Sequence, residues 1–429
     1  MTTPDYNPFS NEHRSDPYPS YAELRKHAPV HRLEGPGFFL ASRYAEVSEI
    51  LKNTDLYSSN AMHRLMMSSM SGGAQNIDGD DSVVDPRAIK AMSRQISDGQ
   101  IDPVEMLTTK SIVATDPPDH ARLRGIVNRA FTPRRIAALE GRLREIASQA
   151  ADAMLEKDEF DLVSGYTVPF PVAVIAEILG VDSDRLSDFK HWSDVLISAS
   201  TGLVSDDMKS QVDEVSRQFH AYFLEQVEKR RRDPKDDLIS VLVAAESGEV
   251  ALTPAETLRF TSLLLVAGNE TTTNLMGNIV LALLERPDLF DRVREDPKLI
   301  PALVEEGLRR DGPVHMLFRE ATRDHVLAGV EIPRGAFVMP ILASANRDEA
   351  EFKNPDLFDL DRPSRGHLAL GMGVHFCLGA SLARLEARIG FEELFKRVSG
   401  LHALEDEVDY VDSFLLRGPK RLRLRAERA

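Results

Sequence analysis

Cys377 is the one cysteine in a chain of 429 residues. It lies in Leu370-Gly-Met-Gly-Val-His-Phe-Cys-Leu-Gly-Ala380, with Gly371 and Gly373 before it and Gly379 after it. Beyond it Leu378, Leu382, Leu385, Ile389 and Leu394 recur at helical spacing. The cysteine therefore ends a glycine-shaped loop where a helix begins. Glycine permits backbone angles that other residues resist and lets backbone approach a flat ligand closely. The free N–H groups and positive dipole end of the helix favour thiolate, the form that binds metal. Most lone cysteines pack as small hydrophobes, but a core position has no need of three glycines within six residues. One thiolate cannot complete a zinc or iron–sulfur site. It suffices for a haem iron, whose porphyrin supplies the four in-plane ligands. A haem-free alternative makes Cys377 a nucleophile with His375 as base; no third, orienting group is evident beside them.

A second constellation lies upstream. Thr253-Pro-Ala-Glu256 is a capping box with proline at the first helical position. The helix it opens is expected to run to about Arg286, where Pro287 stops it, a length of about 50 Å. Its middle reads Leu263-Leu-Leu-Val-Ala-Gly-Asn-Glu-Thr-Thr-Thr273. An apolar wall breaks at Gly268 into amides, an acid and hydroxyls, which a buried helix cannot carry without partners. Thr271 can donate to the carbonyl of Ala267, four residues back, and open the helix locally. Two weaker pairs complete the set. His120 and Arg124 share a helix face after Asp116-Pro-Pro-Asp119, with Asp116 expected as N-cap. Glu306 and Arg309 stand at i,i+3, ordinarily a solvated bridge.

In this order the segments resemble the cytochrome P-450 family. Its haem loop reads Phe-Gly-x-Gly-x-His-x-Cys-x-Gly, and its central helix carries Ala-Gly-x-Glu-Thr-Thr. The resemblance implies a mainly α fold with small β-sheets, one domain over residues 1–429, and a long central helix. It implies haem b, with Cys377 as iron ligand and Gly371 and Gly379 shaping the loop. His120, Arg124, Arg319 and His375 would hold the haem propionates. Glu270 and Thr271 would pass protons, by way of water, to dioxygen. Glu306, Arg309 and Arg362 would form a structural triad behind the loop. Leu263, Val266, Ala267, Val314, His315, Phe414 and Leu415 would line the substrate pocket. Leu370 stands where the family usually has phenylalanine, which leaves haem binding expected and the redox potential altered. The implied reaction is insertion of one oxygen atom of O2 into a small to mid-sized apolar molecule of steroid, terpenoid, fatty-acid or polyketide type. Electrons would come from NAD(P)H through a reductase and a ferredoxin or flavodoxin. A peroxygenase, or a haem-binding gas sensor without turnover, is the alternative. The Glu270–Thr271 pair argues against both.

Composition sets the frame for these elements. Hydrophobic residues are 42% and charged residues 28%, as in ordinary globular proteins. A net charge of −16 argues against nucleic acid as partner. One cysteine excludes a disulfide framework and suits a reducing cytoplasm. The N-terminus has no signal-peptide core, and no apolar run of about 18 residues exists to span a bilayer. A bacterial-type enzyme without membrane anchor, in the cytoplasm, is therefore expected. The basic run Lys229–Arg232 reads as a solvated helix end that complements the dipole. Residues 58–114 read as the least regular stretch, with six of the 13 methionines (Met62, Met66, Met67, Met70, Met92 and Met106). The stretch reads either as a surface insertion or, since methionine adapts to irregular apolar surfaces and the resemblance implies a wall of the substrate pocket here, as the mark of a large or variable apolar substrate.

Overall fold

The structure is a computed structural model that describes all residues except 1–5, 11–12, 14, 35–36, 71–85, 97–100, 130, 202–205, 246–251 and 364. Helices dominate, and the small sheets lie at the edges of the helical core. The largest hydrophobic cluster joins the helices between Ala88 and Phe395, and a second one lies under the main sheet.

The central helix spans Pro254–Glu285, 32 residues, about 48 Å. Its start is the expected capping box: Thr253 Oγ1 accepts from the Glu256 N–H at 3.2 Å, and Glu256 Oε2 accepts from the Thr253 N–H at 2.9 Å. Several of its buried polar residues are answered by another element. Asn269 donates to Ser193 Oγ at 2.7 Å, and Thr273 donates to the Thr167 carbonyl at 2.6 Å. Asn278 donates to the carbonyls of Asp311 and Arg417 at 2.8 and 3.0 Å. An unanswered buried amide would cost about 1–3 kcal/mol, so these bonds fix the rotation of the helix.

The helix Ala380–Phe395 follows Cys377. Glu386 hydrogen-bonds Thr272, and Gly390 approaches Met276 so closely that a Cβ there would lie 2.6 Å from its methyl. The two contacts step four residues on each helix, so the two helices run side by side in the same direction.

A five-stranded sheet has the order Val30–Arg32, Phe39–Ala41, Phe337–Pro340, Arg319–Ala321, Tyr57–Ser58, antiparallel except for the second and third strands. Its register sets Arg319 opposite Val338 and Ser58 opposite Glu320. Residues 58–114 are more regular than their composition suggests. They include the helices Ala61–Met70, Pro86–Met92 and Pro103–Thr108. Met92 and Met106 are fully buried in the main core, where they act as packing; the side chains of Met66, Met67 and Met70 lie outside the described residues. Lys229–Arg232 is not wholly solvated either. Arg230 is buried, with its Nε 2.5 Å from Asp237 and its other nitrogens on Gln226 and the Gly180 carbonyl.

Glu306 and Arg309 form no solvated bridge. Both are buried and doubly bonded, Nε to Oε2 and Nη2 to Oε1, each at 2.8 Å. Arg362 joins at 3.2 Å, and the Asp359 N–H gives Glu306 a further bond at 2.9 Å. From this triad a chain of bonds leads to the cysteine loop. Arg309 donates to the Asn346 carbonyl at 2.8 Å; Asn346 Oδ1 accepts from the Leu368 N–H at 2.6 Å. The Leu368 carbonyl accepts from Gly371, and the Leu370 carbonyl from Cys377. Glu306→Ala would strand two buried guanidinium groups, at a cost of about 3–5 kcal/mol. The expected result is a large fall in thermal midpoint and in haem content of the purified protein. A midpoint within a degree of wild type would refute the triad's structural role.

Candidate active site

The loop before Cys377 turns through left-handed backbone at Gly371 (φ 71°) and Gly373 (φ 72°). At Gly373 a Cβ would also sit 2.8 Å from the Leu51 carbonyl oxygen, so glycine is required there twice over. Gly379 differs. Its φ is −82°, and no atom lies within 4 Å of a Cβ placed on it. The chain itself makes no demand for glycine at that position, and its N–H is bonded to the Cys377 sulfur. The N–H at the helix start favours thiolate, as expected, but it does not set the direction of the net shift. Burial pushes the Cys377 thiol up and outweighs the Gly379 N–H, Arg124 and Arg384, all of which favour thiolate. A group that binds the sulfur as thiolate has to supply the missing stabilisation.

Around this loop the structure gathers all four expected carboxylate-binding side chains. The rings of His120 and His375 lie 4.2 Å apart. Burial, then Arg319, His120 and Arg124, press His375 down to about 3. Burial lowers Arg319 to about 10, opposed only by Asp116, and its guanidinium has one bond, at 2.8 Å to the Phe318 carbonyl. His120 Nε2 is buried without a partner. Arg124 reaches Asn128 at 3.1 Å, and burial lowers it against the pull of Cys377.

What joins them is a hub that sequence reading missed. Asp116 was expected to cap the helix Asp119–Val127, but the next two residues are prolines with no N–H to give it. Its carboxylate instead binds the Ser58 hydroxyl and, at 2.8 Å, the Ser59 N–H. Ser59 Oγ in turn lies 2.9 Å from His375 Nε2. Strand Tyr57–Ser58, beside Arg319–Ala321, thus ties the sheet, the His120 helix and the Cys377 loop at one point. No local signal marks these serines, because their partners are 57 and 316 residues away. Four basic groups face one committed carboxylate, and such a set fits the two carboxylates of a haem.

On the central helix Thr271 donates to the Ala267 carbonyl at 2.6 Å, as its spacing predicts. Ala267 is exposed, although it lies mid-helix, and Leu263, Val266 and Thr271 are half-buried beside it. This face of the helix is accessible along Leu263, Val266, Ala267 and Thr271. Glu270 is buried, its Oε2 has no partner, and burial raises it to about 7. A second buried carboxyl, Glu386, is raised by burial to about 8 where it meets Thr272.

The expected pocket residues divide. Val314 bridges to Leu416, and Phe414 packs on Phe318 and Phe9 at 5.9 and 4.9 Å, so Val314, Phe414 and Leu415 come together. His315 does not face the pocket. It is 3% exposed, with Nδ1 3.2 Å from the Tyr21 hydroxyl and its ring against Tyr18. It borders the same small cavity as Phe414, on the Tyr21 side, where burial holds its pKa well below the usual histidine value.

Among the described residues no three His, Cys, Asp or Glu side chains cluster to hold a bare metal ion, and no helix is long and apolar enough to cross a membrane.

Comparison with known proteins agrees with this geometry. A family model described as cytochrome P450 matches residues 90–424. The vitamin D(3) 25-hydroxylase of Pseudonocardia autotrophica is 37% identical over 428 residues, 98% of this chain and 96% of that protein. The structure of cytochrome P450 CYP109Q5 from Chondromyces apiculatus superposes with a TM-score of 0.84 at 38% identity, covering 99% of both chains. CYP109E1 from Bacillus megaterium, in complex with corticosterone, gives 0.80 at 32% identity over 97% of this chain and 99% of that one.

Glu270 also yields a stability prediction. Its folded pKa is raised, so the folded state holds the proton more tightly than the unfolded one, and stability is lost as pH rises from about 4.5 towards 7. Glu270→Gln stays neutral throughout. Its gain over wild type is expected to grow between pH 5 and pH 8 to about 1–3 kcal/mol. A pH-independent difference in denaturant unfolding would contradict this.

Proposed function

Because the chain belongs to the cytochrome P450 family, and is a haem-thiolate monooxygenase carrying protoporphyrin IX, we propose how its own residues divide the work. The observation that carries this reading is the set of four basic groups, His120 and Arg319 buried and Arg124 and His375 partly so, beside the only cysteine. Cys377 would hold the iron as thiolate, and Gly371 and Gly379 shape the loop that carries it. His120, Arg124, Arg319 and His375 bind the propionates, and this pairing removes the cost of burying them alone. Glu306, Arg309 and Arg362 hold the loop in place. When bound, the haem supplies the redox iron at which dioxygen is reduced, and the thiolate's electron density favours cleavage of the O–O bond.

Protons for that reduction come from the central helix. With its hydrogen committed to Ala267, the Thr271 hydroxyl faces the accessible side as an acceptor and orients a water. Glu270, at about 7, is close to half protonated at neutral pH, so it can release a proton and regain one. Peroxide brings its own oxygen and protons, and a gas sensor has no need of this pair, so monooxygenase chemistry suits it best.

The substrate is a small to mid-sized apolar molecule bounded by Leu263, Val266, Ala267, Val314, Phe414 and Leu415. Vitamin D(3) and corticosterone, named for two relatives, set the scale of molecule. The electron donor is an acidic ferredoxin or flavodoxin reduced by an NAD(P)H reductase. It would dock where Val374 and Phe376 are exposed beside Cys377, with Arg129 and Arg134 exposed beyond the His120 helix. The whole chain acts as one domain in the cytoplasm.

Cys377→Ala is expected to lose the reduced-CO band of a thiolate-ligated haem; a normal band in that variant would make the ligand assignment wrong. Thr271→Ala is expected to keep binding substrate while product formed per NAD(P)H falls by roughly tenfold or more. Unchanged coupling would remove Thr271 from the proton path. Titration of the ferric protein with steroids, terpenoids, fatty acids and macrolides should shift the Soret band to high spin with the class that displaces the iron-bound water.

A further inference from the structure

Two adjacent acids on the helix Ile300–Asp311 serve different partners. Glu306 holds the buried arginines described above. Glu305 meets the segment around Cys377 from both sides. Its Oε2 lies 3.1 Å from Nε2 of His367, which precedes the cysteine loop. Arg384, on the helix Ala380–Phe395 beyond the loop, donates from Nε to Oε1 and, at 3.0 Å, from Nη2 to Oε2. One carboxylate thus ties the start of the loop to the helix that follows it.

This bridge differs from an ordinary surface pair, which is worth little because water competes for both charges. The His367 side chain is 6% exposed and that of Glu305 15%. Burial pushes the Glu305 carboxyl up, and its bonds to His367 and Arg384 more than reverse this, to about 2. Only the Arg384 end is open to solvent in part.

The place of Arg384 gives its charge a target. It is the fifth residue of its helix, about 6 Å of rise from the first. The Gly379 N–H, just before that first residue, is bonded to the Cys377 sulfur. Arg384 and Cys377 act on each other through charge: the guanidinium favours thiolate, and thiolate favours the guanidinium. Arg124 acts on the sulfur in the same sense, but it belongs to the set placed against the propionates. Arg384 has no such duty, and its charge is opposed by Glu305 alone among the acids that act on it.

We infer that Arg384 is a positioning residue for Cys377: fixed by Glu305, it stabilises negative charge on the sulfur, with Glu305 as its counterweight, and the pair trims the reduction potential of the bound haem. The inference rests on the reading of Cys377 as the haem ligand. Reduction adds one negative charge to the iron and its thiolate. A fixed cation nearby favours the reduced form, and a fixed anion favours the oxidised one.

The test measures the reduction potential of the holoprotein in wild type, Arg384→Gln, Arg384→Lys and Glu305→Gln, with the reduced-CO spectrum of each. Arg384→Gln is expected to shift the equilibrium towards ferric haem by about three- to tenfold, tenfold being 59 mV for one electron. Glu305→Gln is expected to shift it by a similar factor in the opposite direction. Arg384→Lys keeps the charge and is expected to stay within about twofold of wild type. Loss of a purely structural bridge would move both glutamine variants the same way, and the lysine variant with them. Shifts of one sign, no shift in either glutamine variant, or a lysine variant equal to Arg384→Gln would overturn the inference. Should a single glutamine variant lose the thiolate-type band, the double variant Arg384→Gln/Glu305→Gln decides: a restored band supports the charge pairing, and its continued absence refutes it. A wild-type protein without that band would overturn the haem-ligand reading itself, whereas equal potentials in variants that keep it overturn this inference alone.

Discussion

Four basic side chains gathered around one half-buried cysteine lose hydration, and elements from distant parts of the chain hold them there. His375 and Arg319 are both pressed well below their ordinary pKa values, the cost of that assembly written in the protein itself. The elements that carry them come from distant parts of the chain: a sheet strand, a helix start and a loop. Each is pinned by bonds that have no other use. The Asp116 carboxylate bridges to Ser58 and Ser59, and Ser59 to His375. Behind the loop, the Glu306–Arg309 pair passes its rigidity through Asn346 and Leu368 to the Cys377 backbone. Two carboxylates placed among these groups would pair with them and offset the cost of their burial.

The central helix solves the opposite problem. It must carry polar groups through an apolar core without collapsing onto them. Asn269, Thr273 and Asn278 are tied to neighbouring elements, so the helix cannot rotate. With that rotation fixed, Ala267 and Thr271 face the accessible side, and Glu270 is left buried with a free oxygen. The raised pKa of Glu270 follows from position alone, since burial is its sole cause.

The chain's sequence by itself determined the local devices. The capping box at Thr253, the stop at Pro287, the glycine turns before Cys377 and the Thr271–Ala267 bond all depend on residues within a few positions of one another, and all are present as spacing predicts. Tertiary structure decided what those devices face. Asp116 was legible as a cap by type, but two prolines denied it the N–H groups and a distant strand supplied others. His315 was legible as a pocket residue by position, but it packs into a tyrosine cluster. Arg230 was legible as a solvated charge, but Asp237 buried it. Periodicity reports which face of an element is apolar. It carries no information on which partner, hundreds of residues away, will meet a charged or hydrogen-bonding group on that face, and here those meetings make the site.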